Sequence, residues 1–336
     1  VLSLCPDKNH ERDPMYRYRH GAFGLVSDLA LPDLVSDAVT PADPAGFDAT
    51  AVRLRLEAVP EALPDPHNTG LLWQASGDEV LFSLGEAGRY LVRGGRSIGV
   101  APGPDHDSHP DRLLNWLYGS VFAAVLLQRG LMPLHVASLR TASGLLAITG
   151  PSGAGKSTMA GALLSRGHAL LADDLLQIDD VAGLIRTGPA TTVAGWPGVP
   201  RLRLSDEAIA AFGLGHGDWV PVEGRSKSGA LLPLGGRGRP DRAPGPLTAL
   251  VELAAAPGPE MPARLDRLTG LDAIRAIHGA LYRPGLSQAL LGVTGLRAFS
   301  FNLAARLPVW RLTRPLGFDR IDAGIAALAP LLGQQA

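Results

Sequence analysis

Leu145-Leu-Ala-Ile-Thr149-Gly150-Pro-Ser152-Gly153-Ala154-Gly155-Lys156-Ser157-Thr158-Met-Ala-Gly-Ala-Leu-Leu-Ser-Arg166 places a short apolar run, a glycine-rich octet and a helix-forming segment in direct succession. The octet Gly150–Ser157 satisfies G-x-x-x-x-G-K-[ST], of which roughly 0.004 matches are expected by chance at this chain's own residue frequencies. A strand running in and a helix running out are the context that motif requires. Glycines let backbone N–H groups curl round a phosphate without Cβ clashes, and the helix N-terminus adds partial positive charge. Gly150, Ser152, Gly153, Ala154, Gly155, Lys156, Ser157 and Thr158 are therefore the candidate nucleotide-binding residues. Lys156 reaches for the β/γ oxygens, and the Ser157 hydroxyl is a ligand for Mg2+. A glycine-rich turn with no ligand needs neither the lysine nor the hydroxyl, so ATP with Mg2+ is the expected cofactor pair.

Outward from the octet, Leu131–Leu139 and Gly144–Thr149 read as buried strands and Lys156–Arg166 as a helix ended by Gly167. A further strand at His168–Ala172 is closed by Asp173-Asp174. Alternating strand and helix signals an α/β core. In P-loop proteins an acid at such a strand end completes the Mg2+ shell. Neighbouring side chains on a strand diverge, so one aspartate can face the metal and the other an incoming nucleophile. The plainer alternative for the pair is a turn or helix cap.

His135, Gly150–Ser157, Arg166-Gly-His168 and Ala172-Asp-Asp174 together resemble the catalytic domain of HPr kinase/phosphorylase. That family carries a leucine-histidine before its P-loop, then GxSGxGKS and RGHxLxADD. The resemblance is specific over residues 131–176 and weaker through Leu247–Ala256. It implies that Asp174 takes the acceptor serine's proton, that Asp173 assists Mg2+ and that His135 lies beside the transferred phosphate. His168 matches a turn position and reads as structural. Two family features are missing. The Glu-Arg-Gly-x-Gly signature falls on Gly195-Trp-Pro-Gly-Val-Pro-Arg201, and the PGRN arginine falls on Pro244-Gly245-Pro246, with Arg242 nearby. The whole chain is more similar to divergent HPr-kinase-related proteins of biosynthetic clusters. Tyr16-Arg-Tyr, Ala22-Phe-Gly-Leu, Ser27-Asp28, Leu31-Pro32 and Leu307-Pro-Val-Trp-Arg-Leu312 carry that likeness. Some of those proteins phosphorylate the C-terminal serine of a lasso-peptide precursor.

Composition narrows the partners. With 336 residues, 46% apolar side chains and a formal charge of −1, the chain has material for about two domains and no field that would gather nucleic acid. A single cysteine, Cys5, excludes an internal disulfide framework and fits a cytoplasmic setting. The apolar stretch Leu113–Leu134 is interrupted by Asn115, Gln128 and Arg129, and reads as a buried helix rather than a membrane span. The expected organisation is a disordered leader at 1–14, a small β-rich domain at 15–105 and a P-loop kinase domain at 106–336.

Of 31 basic residues only Lys8, Lys156 and Lys227 are lysines. Lys227, with Arg225, is therefore a candidate phosphate or substrate contact, against the plainer reading of an exposed loop. Asp105-His-Asp-Ser-His109 reads as a solvated linker before it reads as a metal site. Trp196 suits a peptide groove or core packing equally.

The expectation is an ATP-dependent serine kinase with catalytic residues Asp174, Lys156 and His135, and with Ser157 and Asp173 as metal ligands. Its acceptor is a peptide or small protein, and a homo-oligomer is left open. An HPr-like protein acceptor, a small-molecule acceptor and a non-catalytic nucleotide-binding switch are the alternatives.

Overall fold

The computed structural model describes residues 15–104, 106–179, 181–185, 192–199, 201–214, 220–221, 228–231 and 243–333. The leader 1–14, Asp105, Arg225, Lys227 and Arg242 lie outside them. Among the described residues the fold is mixed α/β, with helices and sheets of eight, nine and three strands divided between two compact units. One unit holds the chain up to Met132 together with Arg283–Val293, and the other holds Pro133–Tyr282 and Thr294–Ala336.

In the first unit an eight-stranded sheet runs in the spatial order Tyr16–His20, Phe23–Ser27, Val52–Leu56, Ser97–Ala101, Arg89–Arg93, Glu79–Ser83, Trp73–Ser76, Asn68–Gly70. Val52–Leu56 pairs in parallel with both of its neighbours, and the rest of the sheet is antiparallel. Along Val52–Arg55 the faces alternate: Val52 and Leu54 are buried while Arg53 and Arg55 face out.

Pro110–Trp116 and Phe122–Gln128 are α-helical and joined by a π-helical turn at Leu117–Val121. Phe122 of this segment packs among His20, Phe23 and Tyr118. Its polar end is tied to the sheet as well. Gln128 accepts from the Gly95 amide at 2.6 Å and donates to the Asp78 carbonyl at 2.8 Å, and Arg129 donates to the Gly95 carbonyl. Residues 110–128, grouped with the P-loop region on sequence, fall in the same compact unit as this sheet. No helix among the described residues is long and apolar enough to cross a membrane.

In the second unit the strand Gly144–Thr149 lies between Ala137–Thr141, antiparallel, and the long strand Gly245–Ala255, parallel. Ala137–Thr141 pairs on its other edge with Leu170–Asp173. Gly245–Ala255 continues the sheet through Val309–Arg314, parallel, which in turn pairs with Arg264–Leu268. Leu146 and Ile148 share one face of the central strand, and there they join Met159, Ala160 and Leu163 of the helix Lys156–Ser165. Leu312, Ile321 and Leu328 belong to the same core. Packing therefore holds the loop between strand and helix at both of its ends.

Three segments depart from the sequence reading. The run 131–139 is two strands, Met132–Leu134 and Ala137–Thr141. The break falls at His135, whose amide donates to the Ala280 carbonyl at 2.6 Å instead of to a ladder. A helix, for which the sequence carries no motif, occupies Gly270–Gly279. A further helical stretch, Pro284–Arg306, is interrupted at Gly292 (φ 73°, ψ 159°), beside the point where the chain passes from one unit to the other.

Candidate functional site

The octet Gly150–Ser157 forms a tight loop at the C-terminal end of Gly144–Thr149. Gly150, Gly153 and Gly155 have φ of 149°, 84° and 87°, the left-handed half of backbone space that side-chain-bearing residues avoid. The Ala154 amide closes the turn onto the Pro151 carbonyl at 3.1 Å. Gly155 is the N-cap of Lys156–Ser165, and no side chain caps that end. The first-turn amides of the helix are therefore oriented toward the loop without a side-chain acceptor. Lys156 folds back so that its Nζ donates to the Gly150 carbonyl at 2.8 Å. Lysine, hydroxyl and amides are thus gathered at one loop.

Sheet register brings the double aspartate to the same end of the sheet. Ala137 is opposite Ile148 on one side and opposite Asp173 on the other. With strands about 4.8 Å apart, the Asp173 backbone sits about 10 Å from the strand that enters the loop. Asp173 Oδ2 accepts from the Arg203 amide at 3.4 Å. Asp174 Oδ1 lies 3.3 Å from His135 Nε2, with each side chain close to half exposed. The His135 ring also meets Tyr282 edge-on, with centroids 5.8 Å apart. The strand break at His135 thus sets its imidazole against Asp174, and Tyr282 restricts how the ring can turn.

Ser157 and Asp173 offer a hydroxyl and a carboxylate, the hard oxygen donors that Mg2+ prefers. The donor chemistry fits that ion. No group of three or more His, Cys, Asp or Glu side chains suited to a metal occurs among the described residues. His106 of the 105–109 linker contacts Asp107 at 3.3 Å and the Gly103 carbonyl at 2.9 Å. Trp196, partly exposed in the strand Ala194–Trp196, donates to Asp179 at 3.4 Å. His168 is partly buried, and burial pulls its pKa below the ordinary histidine value.

Two residues at the site were not singled out from sequence. Tyr282 carries no motif. Arg314 ends the strand Val309–Arg314, and only 2% of it is exposed. Its Nη2 donates to the Ala154 carbonyl at 3.3 Å and its Nη1 to the Pro315 carbonyl at 3.3 Å. Burial lowers its pKa from the usual guanidinium value. A signal was available: Arg314 is two residues from Leu312, so strand periodicity turns both toward the core.

No family model matches this chain, and no curated protein matches it at a significant level. Among solved structures it is similar to the HPr(Ser) kinase/phosphatase from Coxiella burnetii. The identity is 13%, over 57% of this chain and 91% of that one, with a TM-score of 0.28. So loose a superposition has no bearing on the role of any residue.

Proposed function

We propose that the chain is an ATP-dependent serine kinase acting on a peptide or small protein. The reading is supported above all by one observation: the Asp173-Asp174 pair reaches the same end of the sheet as the glycine-rich loop, with His135 against Asp174 at 3.3 Å. The P-loop sequence and its resemblance to the HPr kinase pattern point the same way.

In this mechanism the loop amides of Gly150–Ser157 and the start of the helix Lys156–Ser165 hold the nucleotide phosphates. Lys156 exchanges the Gly150 carbonyl for phosphate oxygens and offsets charge on the group in transfer. Ser157 and Asp173 would hold Mg2+, which would supply positive charge to offset that of the phosphates. Asp174 accepts the proton of the acceptor hydroxyl as its oxygen bonds to the γ-phosphorus and the bond to the ADP oxygen breaks. His135 orients Asp174 and borders the transferred group.

The lasso-precursor likeness makes the C-terminal serine of a ribosomal precursor peptide the preferred acceptor. Lys227 and Arg225 remain candidate contacts to it or to the phosphates.

Intact-mass measurement after incubation with MgATP tests this. A serine-ending precursor peptide gains one phosphate, and its Ser→Ala form gains none. Asp174→Asn lowers transfer by about 100-fold or more while MgATP affinity stays near wild type. Transfer by Asp174→Asn at the wild-type rate sinks the mechanism. Wild-type protein that binds ATP and phosphorylates neither peptide nor HPr supports the switch reading instead.

A further inference from the structure

Arg314 is the anomaly of the second unit. A guanidinium buried away from water is costly unless a carboxylate or another anion neutralises it. Arg311, three residues earlier on the same strand, follows that rule and pairs with Glu252 at 2.8 Å. Arg314 is more deeply buried, yet no carboxylate among the described residues pairs with it, and its Nε makes no hydrogen bond. Carbonyls of Ala154 and Pro315 are its acceptors.

The surroundings also leave room for it. A Cβ placed on Gly155 would stand 2.5 Å from Arg314 Nη2, and one placed on Gly324 of the helix Ile321–Leu332 would stand 2.9 Å from its Cδ. A side chain lying between two glycines, with a charge and no counter-ion among the described residues, occupies a slot that suits it sterically and not electrostatically.

We infer that Arg314 is a positioning residue of the nucleotide site: it braces the loop at Ala154–Gly155 and sets behind it a buried positive charge whose counter-ion is the bound polyphosphate. The inference rests on the reading of residues 150–157 as a nucleotide site and adds a selectivity to it. A charge behind the loop favours ligands in proportion to their own charge, so triphosphate gains most, diphosphate less, and an uncharged nucleoside nothing. The buried position screens that attraction from salt less than an exposed lysine would be screened.

Titration of the full chain with MgATP, MgADP and magnesium pyrophosphate tests this in wild type, Arg314→Gln and Arg314→Lys. Arg314→Gln should bind MgATP about tenfold or more weakly, with a smaller loss for MgADP. Arg314→Lys keeps the charge and should stay within about threefold of wild type for each ligand. In turnover, Arg314→Gln should raise KM for ATP and leave kcat at saturation nearly unchanged, a split that general loss of structure does not produce.

Equal affinity of Arg314→Gln and wild type, or a loss in Arg314→Lys as large as in Arg314→Gln, overturns the inference. Should Arg314→Gln not fold, the lysine variant decides by the same threefold criterion. Wild-type protein that takes up none of the three ligands overturns the nucleotide reading and this inference together. Wild-type binding with an indifferent Arg314→Gln overturns this inference alone.

Discussion

Gly153→Ala isolates what the glycine-rich loop does. Gly153 has φ of 84°, and a Cβ built on it meets no atom within 4 Å. The substitution therefore adds no clash and only the cost of holding an L-residue in left-handed backbone, about 1–2 kcal/mol. Gly77, in the turn between Trp73–Ser76 and Glu79–Ser83, is the matched control: φ is 56° and a Cβ there also meets nothing.

Gly77→Ala bears the backbone cost in the folded state and should melt lower, whereas the ligand-free loop of Gly153→Ala, with open space around its Cβ, relaxes and should melt near wild type. Their nucleotide behaviour should diverge. Holding phosphate then requires the relaxed loop to return to its left-handed φ, so Gly153→Ala binds MgATP about 5- to 30-fold more weakly, since each 1.4 kcal/mol is a factor of ten. Gly77→Ala binds it as wild type does. Calorimetric titration with MgATP, paired with melting curves of each variant, reads both effects. Wild-type affinity in Gly153→Ala together with a wild-type melting temperature refutes a loop geometry tied to phosphate.

Two further outcomes rest on single side chains. Burial lowers the pKa of His168, so the unfolded chain takes up a proton more readily than the folded one. Its contribution to stability is complete above the unfolded value of about 6.5 and is lost as pH falls through that value toward the depressed folded pKa. Melting temperature should thus rise with pH over this window in wild type and rise less in His168→Gln; an unchanged slope assigns the effect to another group. The Tyr90 hydroxyl lies 2.9 Å from the Leu113 carbonyl and 3.0 Å from that of Ala87, all buried. Tyr90→Phe leaves those carbonyls short of a donor and should cost about 1–2 kcal/mol in denaturant unfolding. A null effect there would show that the sheet does not hold the start of the helical segment through this bond.

What the sequence revealed and what it concealed divide along the range of the interactions. The strand Gly144–Thr149 falls where the apolar run and the octet place it, because its two ends are set by adjacent residues: the turn at Ala142–Ser143 and Gly150. The helix Lys156–Ser165 is legible for the same reason. The break at His135 is not, since the acceptor that draws its amide out of the ladder is the carbonyl of Ala280, far along the chain. Helix Pro284–Arg306 escapes a periodicity reading because Gly285, Gly292 and Gly295 dilute its pattern and buried Ser287 and Ser300 lie where apolar residues would be expected.

Arg314 shows the limit most sharply. Among so many arginines it carries no compositional signal, and its partner Ala154 is contributed by a backbone carbonyl, which no residue type announces. Strand parity says only that it points inward. What turns an inward arginine into a candidate for phosphate selectivity is the absence, among the described residues, of a carboxylate beside it and the two glycines that flank it, Gly155 and Gly324. Both are properties of packing across separate elements. A motif search therefore finds the loop proposed to hold phosphates, and packing is needed to find the charge proposed to stand behind it.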